Sequence, residues 1–230
     1  SFQAGGSVTI EIRQGQSSYT QSTRNNVTTK GYGSWHGSFA FVGQISPPPY
    51  QPPVTTQTTG ARELINNGAL KSLNGWTIHE WYKPSDGKGE VTSAGDGVRF
   101  KSILGNNRIG IMQTINADVS SCSSLVLSAT VKADYQTLTG TGWQGREAPV
   151  AVFMSYTDIN GTVHNQLSEN PNDTARRMFW HGFYYADPAP PSLTVFGTKV
   201  NKSSWHTYTV DLAALNPRPK FIQFIGAEGA

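Results

Sequence analysis

The sequence predicts an all-β protein, and three observations carry that prediction. Short apolar-alternating runs recur along most of the chain at intervals of roughly 10–20 residues. Thr, Val, Tyr, Phe and Trp are common, while strong helix formers are scarce. Turn residues punctuate the runs, as at Asp158-Ile159-Asn160-Gly161, a hairpin signal. No apolar stripe at helical spacing reaches a useful length.

The chain divides into three parts. Residues 1–42 alternate in Val8-Thr9-Ile10-Glu11-Ile12, in Val27-Thr28-Thr29-Lys30 and in Ser38-Phe39-Ala40-Phe41-Val42. Turns fall at Gln14-Gly15-Gln16, Asn25-Asn26 and Gly31-Tyr32-Gly33, so three or four strands are expected. A segment this short buries little apolar surface, so it is expected to pack on the rest of the chain or on another copy. Residues 43–60 form a tether with Pro47-Pro48-Pro49, Pro52-Pro53 and a threonine-rich run, a composition that favours an extended path.

Residues 61–230 are expected to form the main domain. It opens with a short apolar strand (Leu64, Ile65), an Asn66-Asn67-Gly68 turn, the anchors Leu70 and Leu73, then Gly75-Trp76. Further strands are expected near Gly97–Phe100, Ile109–Ile115, Leu125–Ala133, Val150–Tyr156, Met178–Tyr185, Leu193–Val200, Trp205–Leu212 and Phe221–Ile225. Many short strands with turn punctuation imply a sandwich or jelly roll. Trp76 and Trp205 fit core anchors.

Composition narrows the function. Charged residues make up 14% of the 230 residues, against about a quarter in ordinary domains. The net charge is +3, and the basic residues are scattered apart from the pair Arg176-Arg177. Nucleic-acid binding needs a concentrated patch, so it is not expected. No apolar run approaches the roughly 20 residues of a membrane helix, so no membrane insertion is expected. The single cysteine, Cys122, has no partner for an intrachain disulfide and lies in a serine-rich stretch that reads as a loop.

Catalytic motifs are missing: there is no Gly-x-Ser-x-Gly, no His-Glu-x-x-His and no phosphate-cradling glycine loop. The carboxylates are few, and no spacing suggests a facing pair. Five scattered histidines without cysteine partners argue against zinc. No cofactor is expected beyond a structural calcium ion, for which Glu63, Asp118 and Asp211 are candidate ligands. The competing reading makes these acids turn caps.

The aromatic residues are the best functional lead. A sugar site needs flat apolar faces rimmed by hydrogen-bonding groups. Trp81-Tyr82 reads as a loop beside Lys83-Pro84-Ser85-Asp86, and Trp143 lies in the glycine-rich stretch Gly140–Arg146. The run Phe179–Tyr185 alternates, with Phe179, His181, Phe183 and Tyr185 on one face and Trp180, Gly182 and Tyr184 on the other. One face is expected in the core. The other is expected to line a groove with Gln113 and Arg146. The glycan-platform candidates are Trp81, Tyr82, Trp143, Arg146, His181, Tyr184 and Gln113; local packing and a protein interface are the competing readings.

Two resemblances extend this reading. Gly5-Gly6-Ser7-Val8-Thr9-Ile10, Gly15-Gln16-Ser17-Ser18-Tyr19, Asn25-Asn26-Val27-Thr28-Thr29 and Trp35-His36-Gly37-Ser38-Phe39-Ala40-Phe41 resemble the second half of an LCCL domain, a secreted module. Asn26 stands where that family has glycine, and the family's cysteine-bearing first half has no counterpart here. Glu63–Trp76, Ile111-Met112-Gln113-Thr114-Ile115 and Trp205–Leu212 resemble a galactose-binding-like jelly roll of the family 4/9 carbohydrate-binding-module type. Leu125–Lys132, Tyr156–Gly161 and Trp180–Tyr185 are similar to modules of large bacterial cell-surface proteins. These resemblances imply a secreted or cell-surface location. They also imply that the sheet lacks one closing strand after Phe221–Ile225, which leaves an open edge.

The sequence therefore points to a non-catalytic extracellular β-sandwich. One expected role is binding a glycan or cell-surface polymer in adhesion. The other is as a structural subunit of a fibre or matrix, self-associating through strand 7–13 and the tether by β-strand exchange.

Overall fold

A computed structural model of the chain describes residues 4–14, 62–81, 89–102, 108–142, 145–166, 176–194 and 196–230; for 4–14 and Trp81 it describes the backbone alone. The strands expected at 27–30 and 38–42 and the tether lie outside these residues. The described strands are β1 (Ala4–Gln14), β2 (Thr77–Trp81), β3 (Glu90–Ser93), β4 (Val98–Ser102), β5 (Arg108–Asp118) and β6 (Leu125–Tyr135), followed by β7 (Val150–Asp158), β8 (Val163–His164), β9 (Phe179–Tyr184), β10 (Gly197–Lys199), β11 (His206–Asp211) and β12 (Pro219–Gly229). The fold is all-β, with two sheets packed as a sandwich. One sheet has the order β11-β6-β1-β4-β3, and the other runs β10-β9-β7-β12-β5-β2 with β8 attached to β7.

The main core lies between the sheets. Strand β6 shows how sequence builds it. Leu125, Leu127, Ala129, Val131 and Ala133 are buried, and the residues between them are half-buried. That period of two is the mark of a strand covered on one face. From the opposite sheet Ile109, Ile111, Val150, Val152, Phe183, Ile222 and Ile225 meet this face in one apolar cluster.

The β12-containing sheet is covered on both faces. Along β7 every residue from Val150 to Tyr156 is buried. Val150, Val152 and Met154 join the main core. Ala151 and Phe153 face the other way and pack with Ala148, Met178 and Trp180 in a second apolar layer, flanked by Met112, Phe196 and Phe224.

The opening of the main domain departs from expectation. Leu64 and Ile65 form no strand; Ile65 sits buried at a bend, and residues 66–69 form the expected turn. Asn67 takes a positive φ of 54°, a conformation asparagine tolerates well. Its side chain donates to the carbonyls of Ser72 and Asn74, and its own carbonyl accepts from Trp76 Nε1. Leu70 and Trp76 are core anchors as expected. Trp205 is not. It is 43% exposed, with the Lys132 ammonium 5.1 Å from its ring centroid. Cys122 lies in the β5–β6 loop as expected, with its side chain buried in the core.

Strands β2 and β3 were not expected. β2 is an edge strand with Ile78 exposed, and β3 is short and mostly exposed, so neither carries a clear apolar alternation. Of the run Leu193–Val200 only Gly197–Lys199 forms a strand, parallel to β9.

The open edge expected after Ile225 does not exist. β12 continues through Gly226, Ala227, Glu228 and Gly229, and it pairs with β5 on one side and β7 on the other. This stretch lacks large strand-forming side chains because there is no room for them. A Cβ on Gly226 would lie 2.3 Å from Phe153 Cζ and 2.4 Å from the Ile111 carbonyl. The tight spot yields a test. Gly226→Val is expected to destabilise the fold by about 2 kcal/mol or more, as overpacking of a full core does. Urea unfolding would read this as a lower midpoint with an unchanged m-value.

Candidate functional site

The first feature that demands a function is the place of β1. It lies inside a sheet, hydrogen-bonded on both sides, yet it belongs to the chain's first fourteen residues. On one side Gly6, Ser7 and Val8 stand opposite Phe100, Arg99 and Val98 of β4. On the other, Gly6 to Gln14 run opposite Ala133 to Leu125 of β6. In antiparallel sheets directly opposed residues share a face. Positions Gly6, Val8, Ile10 and Ile12 therefore lie on the core face, in rows with the buried residues Ala133, Val131, Ala129 and Leu127. Without β1, the sheet order separates into a β11-β6 pair and a β4-β3 pair, each with an unsatisfied backbone edge.

The glycan-platform candidates do not converge. Gln113 is 5% exposed; its side chain accepts from the Asn66 amide at 2.8 Å and donates to the Asn66 and Gly75 carbonyls, each at 2.9 Å. It clamps the 66–75 turn to β5. Arg146 is 2% exposed, with its guanidinium carbon 5.0 Å from the Phe196 ring centroid; Arg177 lies 4.5 Å from the same ring. Tyr184 is buried on β9. Trp81 ends edge strand β2 rather than lying in a loop, and Tyr82 and Trp143 fall outside the described residues. Neither face of the Phe179–Tyr184 run is an open groove, because Phe183 enters the main core and Trp180 the second layer.

His181 sits between the two sheets. Its ring stacks on Tyr208 of β11 at 4.3 Å and 12°, and Nε2 lies 2.9 Å from Thr198 Oγ1. Burial, with the nearby His206 adding to it, pushes its pKa down to about 4. The ring is a polar spacer in an aromatic contact that also includes Phe183.

Two polar clusters lacked a motif in the sequence. On the second apolar layer, buried Glu228 accepts from Trp180 Nε1 at 2.9 Å and pairs with Arg108 at 3.6 Å. His79 joins them, 5.9 Å from the Phe153 ring. Burial lowers the His79 pKa; Glu228 opposes the shift and Arg108 adds to it. The one clue in sequence was that a tryptophan taken into an apolar layer needs an acceptor for its N–H. At the β7–β8 turn, buried Asp158 accepts from the amides of Asn160 and Thr162, and its Oδ2 lies 2.9 Å from His164 Nε2. Burial alone would raise its pKa. The hydrogen bonds from His164, Thr162 and Asn160 outweigh burial and hold the carboxyl below its usual range.

The calcium candidates do not assemble. Glu63 accepts from the Ile65 amide, Asp118 from the amide and hydroxyl of Ser120, and Asp211 from the amides of Leu125 and Ala213. Each acts at a turn or strand end. Among the described residues no group of three His, Cys, Asp or Glu side chains is placed to hold a metal.

No family model matches the chain, and no curated protein or solved structure matches it. The place of β1 is therefore the strongest guide to what the chain does.

Two titrations test the buried polar groups. The neutral form of His181 is favoured in the fold, so the unfolded chain binds more protons between the ordinary histidine value of 6.5 and about 4. Its contribution is intact above pH 6.5 and is lost as pH falls towards about 4. His181→Phe is expected to flatten the slope of unfolding free energy against pH over that window. The Asp158 shift has the same sense in a more acidic window, so its contribution is present above the ordinary carboxylate value of 3.8 and is lost only in stronger acid. At pH 7, Asp158→Asn is expected to cost about 1–3 kcal/mol, as loss of charge-assisted bonds at a buried turn does; denaturant titration measures it.

Proposed function

We propose that this chain is a non-catalytic structural subunit of an extracellular fibre or matrix, joined to its neighbours by exchange of β1. One observation carries the reading: the strand at residues 4–14 fills an interior place in a sheet formed otherwise by strands between residues 90 and 211.

The connection permits exchange between copies. Between Gln14 and Arg62 lie 47 residues. Fully extended, a segment of that length reaches roughly 155 Å. An eleven-residue strand such as β1 spans only about 36 Å. The connector is therefore far longer than is needed to return to its own sheet. The same β1 can fill its own slot or that of a neighbour, with identical backbone bonds and rows. Filling its own slot yields a closed monomer, and filling a neighbour's joins two copies. A head-to-tail series of such exchanges builds a fibre.

The extracellular part of the reading rests on the low charge, the abundance of Ser, Thr, Asn, Gln and Gly, and the resemblance of residues 1–42 to a secreted module. Glycan binding receives less support, since Gln113, Arg146 and Tyr184 are buried apart from a common surface.

Cysteine pairing tests the exchange. Thr9 and Thr130 stand directly opposite in the register. Opposed residues have Cα atoms about 4.5–5.5 Å apart, within disulfide reach. Full-length Thr9→Cys and Thr130→Cys chains, both with Cys122→Ala, are unfolded together, refolded at high concentration and oxidised. Cross-linked dimers are expected on a denaturing gel. Monomer alone from the mixture, with efficient closure of a single chain carrying both cysteines, overturns the reading.

A further inference from the structure

The core-facing rows around β1 are matched in size. In one row Phe100 of β4 and Ala133 of β6 stand on either side of Gly6. In the next, Val98, position Val8 and Val131 stand together. Farther along, position Ile10 stands opposite Ala129, which also faces Tyr208 of β11. The largest side chain that β4 offers is thus met by the smallest residue available on β1. Phe100 is 1% exposed, and the opposite sheet passes close to the base of its side chain: a Cβ on Gly229 would lie 3.1 Å from Phe100 Cβ.

The register with β6 also changes at this point. Gly5 stands opposite Tyr135 and Gly6 opposite Ala133, so Asp134 is an extra residue on β6. Such a bulge pins the register locally. A slip of two residues would keep every position on its own face, so the period of two does not forbid it. That slip would set Val8 opposite Phe100 and Ala133, and Ile10 opposite Val98 and Val131. The Phe100 row would then be overfilled.

We propose that Gly6 is the specificity-determining position of β1: the place between Phe100 and Ala133 accepts a residue without a side chain, and this selects the register in which β1 docks, the β1 strand of a second copy being the occupant in the exchange. The choice of a second copy rests on the exchange reading above. The register role of Gly6 does not, because the same rows form when β1 fills its own slot.

Cross-linking separates the two. Thr9→Cys is paired in turn with Ser128→Cys, Thr130→Cys and Lys132→Cys, in full-length Cys122→Ala chains, both within one chain and between mixed copies. With Gly6 present, Thr9→Cys is expected to link predominantly to position 130. Gly6→Val on the strand-bearing chain is expected to lower that yield about tenfold or more, as overpacking of a full row does, with links moving to positions 128 or 132. Phe100→Ala in the receiving chain is expected to restore the link at 130; Phe100→Leu serves if the larger truncation does not fold. Undiminished linking of Gly6→Val to position 130, or no restoration by either Phe100 variant, overturns the Gly6 role. Loss of selectivity within one chain but no link between copies keeps the register role and overturns the choice of a second copy.

Discussion

Every backbone amide and carbonyl inside a sheet needs a partner, and in the β11-β6-β1-β4-β3 sheet that requirement falls on one strand from far away in sequence. β4 and β6 do not pair with each other. Both close their ladders on β1, through antiparallel registers that begin at Ala4 and Gly5. The core depends on the same strand. Leu127, Ala129, Val131 and Phe100 are buried in rows that β1 positions complete. Burying those faces while leaving two edges unpaired would cost more than it returns, since an orphaned buried backbone group costs about as much as a lost hydrogen bond. The pairing and the core of this sheet thus depend on one strand.

The opposite sheet is built on a different principle. β12 is central and rich in small residues, so β5 and β7 approach it closely, and Phe153 lies over Gly226. Its outward face carries a second apolar layer whose polar atoms are paired internally, with Trp180 and Arg108 both directed at Glu228. A buried carboxylate is tolerated only with such partners. This arrangement spends Arg108, Glu228 and Trp180 on holding a layer in place. Gln113 is likewise spent on a turn and His181 on an aromatic stack. The residue types that suit sugar recognition are the same ones that satisfy a buried polar interior, which is why composition alone pointed to a glycan platform.

Much of the fold was legible in the alternation of single strands. β5, β6, β7, β9, β11 and the first half of β12 announce themselves through a period of two or a continuous apolar run. The 66–69 turn and the Asp158–Gly161 hairpin were legible because Asn, Asp and Gly have few other uses in such places. β2 and β3 were not, because edge strands have little to bury. The end of β12 was not, because its constraint is lack of space, and glycine is selected there by neighbours far away in sequence. The candidate site was half legible. Val8 to Ile12 read as a strand, and exchange was a possible use for it, but its two partners were not visible.

Local chemistry, then, was settled by the sequence: an all-β chain of short strands, low in charge, with a strand-forming run at Val8–Ile12 and a proline-rich stretch after it. Alternation and turn propensity act over a few residues, so they can be read in one dimension. Tertiary structure alone decided that β1 occupies the interior of a sheet, that Gly6 falls between Phe100 and Ala133, and that Arg146, Gln113 and Tyr184 are buried. Those outcomes depend on register and packing between segments far apart in sequence, where hydrogen-bond pairing and volume select the partner.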